Sequence, residues 1–211
     1  MTVLLTVSAL LVVVWFAAGT FWNVRKGSAV MRWMHGGLPL LGERTTVRWL
    51  GSTSVEMTIQ RANPPFDRVT VVIFLEPRDV PWMWALSRRS GRRDTLIVRG
   101  SLRDGPRTDV EILDRSSWSG RDARRRIGSN DWLVREPSSP QDLAVYYKTP
   151  AGLALGEVMT GLALEAGLTV RRLSIFRNEH GFQVHVDLPS TTTAAGDLFG
   201  AIQTLVQRAT A

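Results

Sequence analysis

The stretch LAVYYKTPAGLALGEVMTGLALEAGLTVRRLSIFRNEHGFQVHVDL, residues 143–188, decides the fold class, because strand and helix periodicities follow one another in it without a gap. Leu143–Lys148 is a short apolar and aromatic run that predicts a strand. From Ala151 to Ala166, Leu155, Val158, Met159, Leu162 and Ala166 fall at i, i+3, i+4, i+7 and i+11, one apolar stripe of an α-helix. Gly167 then supplies a stop. Thr169–Phe176 and Phe182–Leu188 flank Asn178–Glu179–His180–Gly181 as a hairpin. In its second strand Phe182, Val184, Val186 and Leu188 alternate with Gln183, His185 and Asp187, which predicts one buried and one wet face. A last helix over about Ala194–Arg208 gathers Leu198, Ala201, Ile202, Leu205 and Val206 on one side, with Thr192 or Thr193 as its N-cap. The order strand, helix, strand, strand, helix predicts an α+β domain, a mainly antiparallel sheet with helices on one face.

Upstream, Thr45–Leu50 and Ser54–Ile59 read as a hairpin around Gly51–Ser52–Thr53. Val69–Leu75 is nearly continuous apolar, as for a central strand. Thr95–Gly100 and Thr108–Leu113 read as a further hairpin across Asp104–Gly105–Pro106, and Ser117–Ile127 as a short helix rich in arginine. Ser138–Ser139–Pro140 punctuates the chain. The divisions expected are an anchor with its basic flank at 1–26, a juxtamembrane segment at 27–44, a β-rich basic sub-domain at 45–128 and an α+β sub-domain at 141–211.

The N-terminus carries a different signal. No charged side chain occurs from Thr2 to Val24, and 23 helical residues cover about 34 Å, enough to cross a hydrocarbon core of about 30 Å. A cleaved signal peptide is the rival reading. Against it stand the absence of Lys or Arg ahead of the apolar run, the length of that run, and the Arg25–Lys26 pair that follows it. Arg25, Lys26, Arg32, Arg44 and Arg48 all lie on its C-terminal side, so the expected topology is a single-pass signal-anchor in the plasma membrane with the N-terminus outside and the domain cytoplasmic.

Charge is unevenly distributed. Residues 1–128 carry 20 Lys and Arg against 11 Asp and Glu, a net +9, whereas residues 129–211 carry 6 against 8, a net −2. The basic half is the one nearest the span, where an anionic leaflet attracts each basic group by about 1 kcal/mol. There is no cysteine, which excludes disulfides, thiolate metal sites and cysteine nucleophiles. His35, His180 and His185 are too scattered for metal-ligand spacing and read as surface residues. Gly152, Gly156 and Gly161 sit inside a helix without the Lys–Ser/Thr of a phosphate loop, and read instead as positions of close helix–sheet packing. No G-x-S-x-G elbow is present, and neither metal nor cofactor is implied.

One segment stands apart: Val80–Pro81–Trp82–Met83–Trp84–Ala85–Leu86–Ser87–Arg88–Arg89–Ser90–Gly91–Arg92–Arg93. It can lay Trp82 and Trp84 in a headgroup layer while Arg88, Arg89, Arg92 and Arg93 meet lipid phosphates. Alternatively, it is a short helix whose aromatics pack on the sheet and whose arginines are solvated. With Arg25, Lys26 and Arg32 these residues form the candidate membrane surface. Nucleic acid competes for the arginines at 88–93 and 121–126, and would require one contiguous basic surface.

Over Gly156–Leu188, the run Leu164–Glu165–Ala166–Gly167–Leu168, then Ile175–Phe176–Arg177, then Val184–His185–Val186, resembles part of the C-terminal domain of the ZipA cell-division tethers. That resemblance implies a single N-terminal span with a cytoplasmic domain. It covers 33 of 211 residues, and neither that family's downstream Pro-Gly-x-Phe pattern nor its long linker is present, so no binding residue carries over. The expectation from the residues is a non-enzymatic, membrane-tethered α+β domain that docks on the anionic inner leaflet, on a protein partner or on a second copy. The alternatives are an enzyme acting on a lipid-like substrate and a tethered nucleic-acid binder.

Overall fold

The computed structural model describes residues 1–128, 131–137, 143–189 and 193–210. The Ser138–Pro140 punctuation and Thr192 lie outside them. Helix α1 (Thr2–Met34) and the short α2 (Leu38–Leu41) lead into β1 (Gly42–Trp49), β2 (Ser54–Ala62) and β3 (Phe66–Phe74). Helix α3 (Pro81–Arg89) precedes β4 (Thr95–Leu102) and β5 (Val110–Asp114), and α4 (Trp118–Ile127) precedes β6 (Leu133–Arg135) and β7 (Leu143–Tyr147). The chain ends with α5 (Pro150–Glu165), β8 (Val170–Phe176), β9 (Gly181–Asp187) and α6 (Ala195–Gln207). The protein is α+β: the nine described strands form one open sheet in the order β1-β2-β3-β4-β9-β8-β5-β7-β6, with every pair antiparallel. The basic and acidic halves of the sequence therefore share a sheet, joined where β4 pairs with β9 and where β5 pairs with β7 and β8.

One expected hairpin does not form. β4 pairs with β3 and β9, β5 pairs with β7 and β8, and the β8–β9 hairpin lies between them. Consecutive strands are neighbours only about two-thirds of the time, and β5 is buried along its whole length, which requires a partner on each side.

α5 and α6 cover one face, together with α2 and the end of α1. On α5 the buried residues are Gly152, Gly156, Met159 and Ala163; of the expected stripe Met159 is buried and Leu155 and Leu162 pack partly buried against the core, whereas Val158 is half exposed and Ala166 exposed. A Cβ on Gly156 would come within 2.4 Å of Val145 Cγ1, so glycine lets the helix axis approach the sheet more closely than leucine could. Gly152 packs similarly, while Gly161 faces open space. On α6 the buried set is Leu198, Phe199, Ile202, Leu205 and Val206: Phe199 replaces the expected Ala201 as the central packing residue, and the N-cap is Ala194. Helix α4 takes the opposite face, where Ala123 and Ile127 meet Leu113, Ala144 and Tyr146.

α1 is long and apolar enough to cross a membrane, and is compatible with membrane anchoring. It does not stop at its basic flank. Its buried residues Gly19, Asn23, Gly27, Val30 and Met34 recur every three to four positions, one stripe that runs from the apolar stretch into the domain core.

Candidate functional site

Segments far apart in the chain meet along α1. Trp15, in the uncharged run, donates from Nε1 to the Arg78 carbonyl at 3.0 Å, and its ring lies 6.4 Å from that of Trp84 at a 45° tilt. At Gly19 a Cβ would fall 2.3 Å from the Arg78 carbonyl oxygen, so the 78–79 backbone lies directly on α1. Below this contact sits a charge-balanced clasp. The Asp94 carboxylate accepts from Arg78 at 3.0 and 2.8 Å, from the Glu76 N–H at 2.7 Å, and from Lys26 of α1. Glu76 accepts from Trp84 Nε1 at 2.6 Å, and Arg78 reaches Asn23 of α1 at 3.3 Å. Burial alone would raise the Asp94 pKa, but the hydrogen bonds from Arg78, Lys26 and the Glu76 amide outweigh it and hold the carboxyl below its ordinary range. Two acids face two bases, so the clasp ties α1 to the sheet without a net buried charge.

This arrangement sorts the expected surface residues. Trp82 and Leu86 are 59% and 65% exposed, Met83 is half exposed, and no residue of α3 is buried. Trp84 is half-buried by its contacts with Trp15 and Glu76, so the two tryptophans differ in role. Between α1 and α3 runs an apolar groove of about 460 Å³, lined by Leu11, Val14, Trp15, Ala18, Trp22 and Trp84. Arg88 lies over the Trp84 ring at 5.5 Å, and Arg89 is exposed at the end of α3. Arg93 is exposed and bonds the Arg88 and Arg92 carbonyls. Arg25 and Arg32 are exposed, but Lys26 is taken up by Asp94. Trp33 packs against the domain and donates to the Thr193 carbonyl, whereas Trp22 is exposed.

The two arginine runs adjoin. Arg92 stacks over Trp118 of α4 at 5.4 Å, and Arg121 donates to the Ser90 carbonyl. Behind them is a cavity of about 110 Å³ bordered by Arg92, Arg93, Ser117, Ser119, Arg171 and His185. His185 is not a surface histidine. Strand β9 turns it away from the main core, but the 91–93 loop and the start of α4 cover it, and it is 7% exposed. Its partners across the sheet are Ile97 and Arg172. Burial, then the charges of Arg172 and Arg99, push its pKa down to about 3. Arg171 bonds Asp187 and Asp114 and is held charged, chiefly by Asp187, with its pKa above the ordinary arginine value. Ser117 Oγ donates to the Asp114 carbonyl and accepts from the Gly120 N–H, so it caps α4 and is not an activated nucleophile. His180 is exposed at the β8–β9 turn and does not join His185, and among the described residues no three His, Asp or Glu are placed to hold a metal.

A pH dependence follows from His185. The folded state keeps the ring neutral down to about pH 3, while the unfolded chain takes up a proton below its ordinary 6.5. The stabilising difference is therefore fully present above pH 6.5 and declines as pH falls toward 3, by about 1.4 kcal/mol per unit. Unfolding free energy is expected to be about 2 kcal/mol lower at pH 5 than at pH 7, and in His185→Gln this slope should flatten. Denaturant titrations at both pH values check it; equal slopes in the two proteins would refute it.

Nothing in the sequence marked Glu76, Arg78 or Asp94 as a group, because their partners come from α1 and from β-strand ends far apart in the chain. Compared with known protein families and with curated proteins, the chain matches none, so the ZipA resemblance gains no support there.

Proposed function

We propose that this is a single-pass membrane protein whose α+β domain rests on the anionic cytoplasmic leaflet, with α3 embedded at the level of the headgroups. The observation that supports the reading is the contact of Trp84 with Trp15, beside exposed Trp82, Met83 and Leu86. Trp15 precedes Val24 by nine residues, about 14 Å along the helix, so α3 lies well inside the uncharged run. The part of α1 free of the domain, residues 2–14, is only about 20 Å long, short of a hydrocarbon core of about 30 Å. A spanning α1 thus carries the first turns of its contact stripe, and α3 with them, into the bilayer boundary. Side chains left without protein neighbours then meet acyl chains, each burial worth up to about 1.5–3 kcal/mol. The α1–α3 groove is filled by lipid in the same way. Arg88 and Arg89 at the far end of α3 reach phosphates. The cytoplasmic side follows from Arg25 and the basic residues after it.

The chain has no cysteine, so single labels can be introduced without background. Spin labels at Met83→Cys and Leu86→Cys in the bilayer-reconstituted chain are expected to be accessible to oxygen and shielded from a polar relaxation agent. A label at Arg208→Cys should show the reverse. Aqueous behaviour at 83 and 86 would sink the embedded-helix reading, and an external reporter after residue 211 would sink the cytoplasmic one. The nucleic-acid alternative draws on the adjacency of the 88–93 and 121–126 arginines; displacement of bound single strands by anionic vesicles, but not by neutral ones, would favour the bilayer.

A further inference from the structure

The cavity between the 91–93 loop and α4 has features that docking on a bilayer does not use. We propose that it is a binding site for a phosphate group, presented as a phosphomonoester or as free phosphate. Four observations converge on it. First, the N-terminus of the ten-residue helix α4 borders the cavity through Ser117, Trp118 and Ser119, and its opening amides, which precede any helical acceptor, lie at the positive pole of the helix. Second, Arg92, Arg93 and Arg171 border the cavity, and Asp187 is the one acidic residue among the described residues that line it. Third, His185 Nε2 is buried in the cavity wall without a partner among the described residues. An unpaired polar atom in the interior costs on the order of 1–3 kcal/mol, and a phosphate oxygen would accept from that nitrogen. Fourth, the walls are already fixed: Trp118 holds Arg92 by stacking, Arg121 ties α4 to the Ser90 carbonyl, and Asp187 with Asp114 holds Arg171.

Size sets the ligand class. About 110 Å³ is well under the ~300–1,000 Å³ of pockets that enclose a drug-sized molecule, so the phosphate enters and whatever carries it stays outside. Charge sets the sign. Asp187 and Asp114 both bond Arg171, and with Arg92 and Arg93 at the rim three positive charges stand against two negative ones, a net +1.

The test uses the full chain in nanodiscs of neutral phosphatidylcholine, ¹⁵N-labelled on its three histidines, with the His185 ring signal assigned by its loss in His185→Gln. Inorganic phosphate is titrated against chloride at constant ionic strength, and a second series replaces it with nanodiscs containing phosphatidic acid. A saturable shift of the His185 signal with either supports the site; a response to free phosphate identifies a soluble ligand, and a response only to phosphatidic acid identifies a lipid headgroup. Arg92→Ala and Arg93→Ala should each weaken the response about tenfold, as loss of a charge-assisted hydrogen bond would, while Arg208→Ala leaves it unchanged. No saturable shift with either probe up to tens of millimolar, or equal responses in the arginine variants and the parent, would overturn the proposal.

Discussion

Replacing Asp94 by alanine is expected to lower the unfolding free energy by about 3 kcal/mol and to loosen α1 from the domain. The carboxylate is nearly buried and accepts four hydrogen bonds, from Arg78, Lys26 and the Glu76 amide. Among the described residues, its removal leaves Arg78 with Glu76 at 3.6 Å as its one acid and Asn23 as a neutral acceptor, and leaves Lys26 without an acid. The figure lies at the low end for a broken buried pair because Lys26 is about a third exposed and water partly replaces its partner. Two measurements separate this from a general loss of packing. Chemical unfolding in detergent gives the stability, and spin-label distances between positions 22 and 86 give the α1–α3 geometry, a narrow distribution in the parent and a broad one in Asp94→Ala. A narrow distribution in the variant would mean that the Trp15–Trp84 and Gly19 contacts suffice without the clasp. Since the Asp94 pKa lies below its ordinary value, the stabilisation is complete above about pH 4 and is lost as pH falls through the lower folded value, beginning at the acid end of the His185 window.

The second large effect is expected at Glu111. Its carboxylate accepts from Arg172 at 2.7 and 3.1 Å and from the Ser174 hydroxyl at 2.6 Å, and all three side chains are buried between β5 and β8. Glu111→Ala strands the Arg172 guanidinium, a change worth about 3–5 kcal/mol, or a fall in melting temperature on the order of 10 °C for a chain of this size. The double variant Glu111→Leu/Arg172→Met removes both charges and should recover most of that loss, because an apolar pair of similar volume has no desolvation penalty. If the single and double variants melt together, the loss comes from packing and not from the stranded charge. Arg172 also faces His185 across the β8–β9 ladder, so removing its charge in the double variant should let the His185 pKa rise.

These effects define two different kinds of polar interior. The clasp joins α1 to the sheet across a long separation in the chain, so its value lies in geometry as much as in stability. The Glu111–Arg172–Ser174 group ties β5 to β8 within the sheet.

Much of the architecture was legible in residue patterns. Twenty-three uncharged residues at Thr2–Val24 specify a helix able to span a bilayer, alternation in Phe182–Leu188 specifies a half-buried strand, and Gly167 marks a helix end. These are local signals: each depends on residues within a few turns of one another. What the pattern could not contain was pairing across long separations. Whether β4 joins β5 or β9, whether Gly152 and Gly156 of α5 meet the sheet beside its leucines, and whether His185 is wet or buried all depend on what arrives from elsewhere in the chain. The N-terminal span is the plainest case. Its length and the charge beyond it can be read directly, but only the tertiary structure brings Trp84, Arg78 and Asp94 onto its Trp15–Lys26 segment, because hydrogen bonds and close contacts are set by distance in space and not by spacing in sequence.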